Sequence, residues 1–185
     1  MSDFYNAFEI SPVPGPDDTP PEPFRGIYAM PSFVTIPTTD LAESTAFWTR
    51  GLGFIELFSI PGRVVHLRRW AFQDVLMVPA ESVPEQASAM SVSFACGLGQ
   101  IDALVETCRA VRPESVAGPR DTPWNTRDVE VITPEKARIV FTAKRPLDPD
   151  SAEARNLAAV GLMPPDAAPG NNDGNGDNSA DVEHA

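Results

Sequence analysis

Phe33-Val34-Thr35-Ile36-Pro37-Thr38-Thr39-Asp40-Leu41-Ala42-Glu43-Ser44-Thr45-Ala46-Phe47-Trp48-Thr49-Arg50-Gly51-Leu52-Gly53-Phe54 reads as a strand, a capped helix and a glycine stop in immediate succession. Residues 33–36 are a short β-rich run, which Pro37 closes. Asp40 stands where an N-cap belongs. Glu43, three residues on, suits the return arm of a capping box, and the spacing predicts a helix over 41–50 ended by Gly51 or Gly53. Leu41, Thr45 and Trp48 recur at helical spacing, and Phe47 and Trp48 are expected in the core.

Working outward, the same order of elements occurs twice. Strands at 54–60, 64–72 and 75–78, with a Pro61-Gly62 turn, complete the first cycle. The second opens on Ser91-Val92-Ser93-Phe94-Ala95-Cys96, whose alternation is that of a half-buried strand. A helix over 101–111 follows, with Leu104, Val105 and Cys108 on one face. Strands are then expected at 115–118, 127–132 and 138–143, with Pro119, Pro123 and Trp124 in a loop. The expectation is an α+β fold of two tandem βαβββ units forming a curved mixed sheet.

The flanks are different material. Residues 1–30 hold six prolines between Pro12 and Pro23, which deny a helix and favour an extended arm. Residues 147–185 run into an Asn-, Asp- and Gly-rich stretch with too little apolar surface to offset its ordering entropy, so a largely disordered tail is expected, with a short helix feasible at 151–160. The net charge of −12 lies mostly in these flanks: five acids against one Arg give −4 in 1–30, eight against one give −7 in 147–185, and −1 remains for the 31–146 domain. No basic stripe is concentrated anywhere, which argues against nucleic acid as a partner. The start has no signal-peptide pattern and no apolar run approaches bilayer length, so the expectation is a cytoplasmic protein without membrane contact. Cys96 and Cys108 are too few for a disulfide framework and read as buried thiols.

The stretch 33–54, with its Asp-Leu helix start, aromatic pair and Leu-Gly-Phe, resembles the opening of the vicinal-oxygen-chelate superfamily of glyoxalases, bleomycin-resistance proteins and extradiol dioxygenases. Pro123-Trp124-Asn125-Thr126-Arg127-Asp128-Val129-Glu130-Val131 resembles its later strand, although a usual Gly near Asn125 is missing. The usual Asp-Pro-Asp-Gly turn has become Thr133-Pro134-Glu135-Lys136. In metal-dependent members, four strands each send a His, Glu or Gln to one divalent ion. The resemblance places those positions at Phe33, Leu76 or Met77, Ser93 and Val140, none an ordinary ligand. The chain has only His66 and His184, which excludes a multi-histidine site. A rescue from His66 with Asp74 or Glu130 is the remaining metal option.

The resemblance therefore implies a metal-free binding protein without a cofactor, an antibiotic-sequestering homodimer that holds a planar aromatic ligand. Its expected lining is Phe33, then His66, Arg68 and Trp70 on one face of the third strand, and Trp124. Such a face would stack an aromatic ligand and hold an anionic group on it. The ordinary readings are a surface or pocket-edge His66, a solvated Arg68-Arg69 pair and a loop-anchoring Trp124. The competing class is an enzyme with a rebuilt site acting on a small oxygenated metabolite.

Overall fold

The computed structural model describes residues 32–70 and 73–161, together with Glu22, Arg25 and Gly26. Most of the proline-rich arm and the tail beyond 161 lie outside the described residues, as does the end of the expected 64–72 strand. The elements are β1 (Val34–Thr38), α1 (Leu41–Arg50), β2 (Ile55–Ile60), β3 (Val64–Arg68) and β4 (Asp74–Pro79). A second set follows as β5 (Ser91–Cys96), α2 (Ile101–Val111), β6 (Val116–Asp121), β7 (Thr126–Ile132) and β8 (Arg138–Lys144). Each βαβββ unit forms its own mixed sheet, ordered β1-β4-β3-β2 and β5-β8-β7-β6, with one parallel pair (β1 with β4, β5 with β8) and antiparallel neighbours otherwise. A short α3 (Ala152–Ala159), capped by the Ser151 hydroxyl, stands within the region expected to be tail. Among the described residues no helix is long and apolar enough to cross a membrane.

The α1 start forms as its sequence dictates, with one substitution of partners. The Asp40 carboxylate accepts from the backbone N–H of Ala42 and Glu43, each at 2.9 Å. Glu43 does not close the box. It reaches Arg112 at 3.6 Å, while the Thr38 hydroxyl accepts from the Asp40 N–H at 3.1 Å and bonds the Ser44 hydroxyl at 2.7 Å. Pro37 does not end β1 either. β1 is an edge strand, so a residue without an N–H is tolerated there, and Pro37 pairs with Val78. On the other edge, β6 continues past Gly118 and Pro119 to Asp121 because the ladder bulges between Ala117 and Arg120.

The helix-facing sides of both sheets share one core, in which Trp48, Leu52, Leu67, Val75, Met77, Ile139 and Phe141 are fully buried. Its seam between the units is specific. Phe54 meets Phe94 edge-on at 5.4 Å, and the Gly51 carbonyl accepts from the Thr107 hydroxyl and the Cys108 thiol. The Ala95 carbonyl accepts from Arg69 and Gln73, and the Trp48 indole N–H donates to Glu135 at 3.4 Å. Both cysteines are free and buried, and burial pushes Cys96 up to about 11 and Cys108 to about 12.

Two residues occupy positions where glycine is customary. Asn125 (φ 64°) tolerates the left-handed region, but Lys136 (φ 65°), in the β7–β8 turn, pays for its Cβ about 1–2 kcal/mol. Glycine would recover that and lose about 0.5–1 kcal/mol to unfolded-state freedom. Lys136→Gly is therefore expected to stabilise the chain by about 0.5–1 kcal/mol, read as a rise of roughly 1–4 °C in thermal midpoint.

Candidate functional site

Strand alternation divides β3 cleanly. Val65 and Leu67 enter the core, while His66 and Arg68 point to the face turned away from the helices. Register brings Phe58 of β2 and Leu76 of β4 beside His66, and Asp74 beside Arg68, with Thr35 of β1 next to Leu76. The ladder shift between Glu56 and Phe58 sets the latter's position. Phe33, just before β1, meets the His66 ring edge-on at 5.3 Å, and Phe58 does so at 5.1 Å. Both phenyl rings are about two-fifths exposed, whereas His66 is not.

Beneath these rings lies a charged cluster. The Arg68 Nε and NH2 groups grip the two Asp74 carboxylate oxygens at 2.6 and 2.9 Å, a bidentate pair at 1% exposure for each residue. Arg68 NH1 donates to the Gly26 carbonyl at 2.8 Å. The expected solvated Arg68-Arg69 pair is thus buried on both counts, and His66 is not a surface residue. Its Nε2 stands 3.5 Å from Asp74 Oδ1 without a hydrogen-bond partner.

Burial is the main cause of a lowered His66 pKa. Asp74 opposes the shift and Arg68 adds to it. Below pH 6.5 the unfolded chain binds a proton that the folded chain refuses, so stability held above 6.5 is lost progressively as pH falls toward the lowered folded value. Denaturant unfolding from pH 7.5 to 5 is expected to show this slope and His66→Asn to flatten it; equal slopes would refute the assignment.

The corresponding face of the second sheet is polar. Ser91, Ser93 and Ala95 are exposed, and Ser93 pairs with Val140 as Thr35 does with Leu76. Asp128 accepts from the Thr126 and Thr142 hydroxyls at 2.8 Å each, and Glu130 is ion-paired with Arg138. The two tryptophans expected at the ligand lie elsewhere. β3 ends at Arg68, and the turn closed by the Gln73 N–H on the Trp70 carbonyl takes Trp70 to a groove of about 580 Å³ on the helix side, beside Arg50, Arg69 and Leu104. Trp124 is exposed in the β6–β7 turn. Phe58 was missed in the sequence, where the bulge hides its register against His66.

A profile of the Glyoxalase/Bleomycin resistance protein/Dioxygenase superfamily matches residues 31–150. The chain belongs to this superfamily. Solved structures similar to it include the genomically encoded fosfomycin resistance protein FosX of Listeria monocytogenes (TM-score 0.55, 13% identity, 70% of this chain and 99% of that one). A bleomycin resistance determinant encoded on transposon Tn5 gives a TM-score of 0.51 at 17% identity, over 63% and 98% of the two chains. A glyoxalase/bleomycin resistance protein/dioxygenase from Nocardioides gives 0.50 at 19%, over 68% and 91%. At such identities the likeness is one of fold. No curated protein sequence matches the chain.

The side chains do not suit the divalent ion used by metal-dependent members of the superfamily. Of the two alternatives for the second ligand position, Met77 is wholly in the core and Leu76 lies on the open face. The four positions then present a phenyl ring, two aliphatic chains and one serine, where such an ion needs imidazole or carboxylate. In the rescue set both carboxylates are already engaged by cations. Arg68 occupies both Asp74 oxygens, and Glu130 is ion-paired with Arg138. Among the described residues no three His, Cys, Asp or Glu are grouped closely enough to hold a metal.

Proposed function

We propose that this superfamily member is a metal-free cytoplasmic protein that binds and sequesters a small planar aromatic ligand, acting as a homodimer in self-protection against an antibiotic. The observation that carries this reading is the pair of half-exposed rings, Phe33 and Phe58, set edge-on against a buried His66 on the face where metal-dependent relatives of the superfamily hold their ion. Rings in that arrangement offer apolar area and an edge-on partner to a flat molecule. Arg68 contributes differently from the sequence expectation. Its charge is already matched by Asp74, so selection rests on the two exposed rings rather than on ligand charge.

Calorimetric titration with a panel of planar aromatic natural products tests the reading. Saturable binding with the compound recovered unchanged is expected, and Phe33→Ala and Phe58→Ala should each weaken it about 3- to 10-fold, corresponding to the ~0.5–1.5 kcal/mol of an aromatic pair. Near-stoichiometric zinc, nickel, manganese or iron in undialysed protein would sink the metal-free assignment, and a monomer in light scattering at micromolar concentration the dimer. An enzyme is the second reading. It requires the two rings to part, because His66 Nε2, the base such chemistry would use, is sealed from solvent beside Asp74. Consumption of a panel compound, abolished in His66→Gln, would favour it.

A further inference from the structure

Of the two adjacent arginines at the end of β3, only Arg68 has an acid. Arg69 is 7% exposed, yet among the described residues no carboxylate stands within ion-pair distance of it. Neutral groups hold it instead. NH1 donates to the Ala95 carbonyl at 3.2 Å, NH2 donates to Gln100 Oε1 at 3.1 Å, and the guanidinium carbon lies 5.1 Å from the centroids of both the Trp70 and Phe141 rings. The charge is sheltered without being neutralised, and burial lowers the pKa of the group. Its Nε donates to no described residue, and a Cβ on Gly53 would lie 3.9 Å from that nitrogen. The glycine, at φ 72°, leaves that side of the guanidinium uncovered. Arg69 and Gly53 both line the helix-side groove of about 580 Å³, whose walls include Leu52, Ile55, Trp70 and Leu104. A space of that size suits a small molecule. The exposed Arg50 at the same groove has no ion pair among the described residues either, and α2 begins beside it at Gln100 without a side-chain cap, presenting the positive end of its dipole. Glu22 is the one acid among the described lining residues, and it pairs with Arg25 at 3.9 Å rather than with either arginine.

We propose that this groove is a second binding site, for a small organic carboxylate whose anionic end takes the open side of Arg69 and whose apolar body lies along Leu52, Ile55 and Leu104. One sheltered cation among apolar walls calls for a single negative charge on a hydrophobic body. A phosphate dianion brings more charge than the site matches and nothing for the walls to bury. The bound carboxylate supplies to Arg69 the counter-charge that Asp74 supplies to Arg68 within the fold. The groove is on the helix side and Phe33 and Phe58 are on the face turned away from the helices, so neither binding reading rests on the other.

Hexanoate and benzoate, each set beside its amide, test this by heteronuclear NMR on the isotope-labelled full chain. The backbone amides of Gly53, Gly99 and Gln100 and the Trp70 indole N–H are expected to shift saturably. The acids should bind at least about tenfold more tightly than hexanamide and benzamide, as a charge-assisted contact requires. Ala103→Glu puts an acid on an exposed groove residue of α2 and should weaken both acids at least about tenfold, whereas Phe58→Ala should leave them within about twofold of the wild type. In the wild-type protein, no saturable shift up to about 10 mM, or shifts gathered around Phe33 and Phe58 instead, would overturn the site, and neither result needs a variant to fold. Equal affinity for acid and amide would overturn the part given to Arg69, and a folded Ala103→Glu that bound the acids unchanged would overturn the location. Carboxylate binding here alongside an aromatic panel that leaves Phe33 and Phe58 unperturbed would keep this site and remove the other.

Discussion

Asp74→Ala is expected to cost about 3–5 kcal/mol, enough to remove much of the stability of an ordinary domain. The reason is the charge left behind. Arg68 is 1% exposed and its Nε and NH2 groups have the Asp74 carboxylate as their partner at 2.6 and 2.9 Å. Removing the acid takes the counter-charge from a guanidinium in a site water does not reach, so its desolvation is no longer offset. The double replacement Arg68→Met with Asp74→Leu removes both charges and fills the volume, and is expected to lie near the wild type or above it. Chemical denaturation of the three proteins checks this. A cost below about 1 kcal/mol for Asp74→Ala would mean that the pair behaves as a solvated surface bridge.

Trp48→Ala is the second large effect, expected at about 3–5 kcal/mol. Trp48 is wholly buried, stacks edge-on against Phe54 at 5.0 Å, and spans the seam through its indole N–H on Glu135. Trp48→Phe separates the two contributions. It keeps an aromatic ring but removes the one donor to a carboxylate that is 4% exposed and whose other oxygen has no partner. That loss is expected to cost about 1–3 kcal/mol, and Glu135→Met in the same protein should recover part of it by removing the orphaned group. If Trp48→Phe is neutral in thermal melts, the indole is only filling space.

How far the sequence could be read depended on how far apart the partners were. The α1 start and stop, the β5 span and the α2 span were legible because each is written in adjacent residues: Asp40 before Leu41, Gly51 after Arg50, alternation through 91–96. The doubling of the unit followed from the same local signals, and the motifs in 33–54 pointed to the superfamily. At the site the signals were distant. Alternation put His66 and Arg68 on one face, but it says nothing about what crosses that face, and Gly26 lies forty-two positions away. Two adjacent arginines look solvated until the β3–β4 register supplies Asp74 to one and the seam supplies Ala95 and Gln100 to the other. Trp70 was assigned to the face by extending β3 past its end, and Phe58 was lost behind the bulge. Edge position decided the two proline misreadings, since neither Pro37 nor Pro119 interrupts a strand that has a free side.

The sealed thiols have a practical corollary. Cys96 and Cys108 are both buried in the core, the second bonded across the seam to the Gly51 carbonyl, and their high pKa values leave almost no thiolate at neutral pH. A maleimide or iodoacetamide added to the native protein therefore waits for the two units to part. The rate of alkylation becomes a clock for that opening, readable without any substitution. A single cysteine introduced on the surface would carry a dye against a silent background.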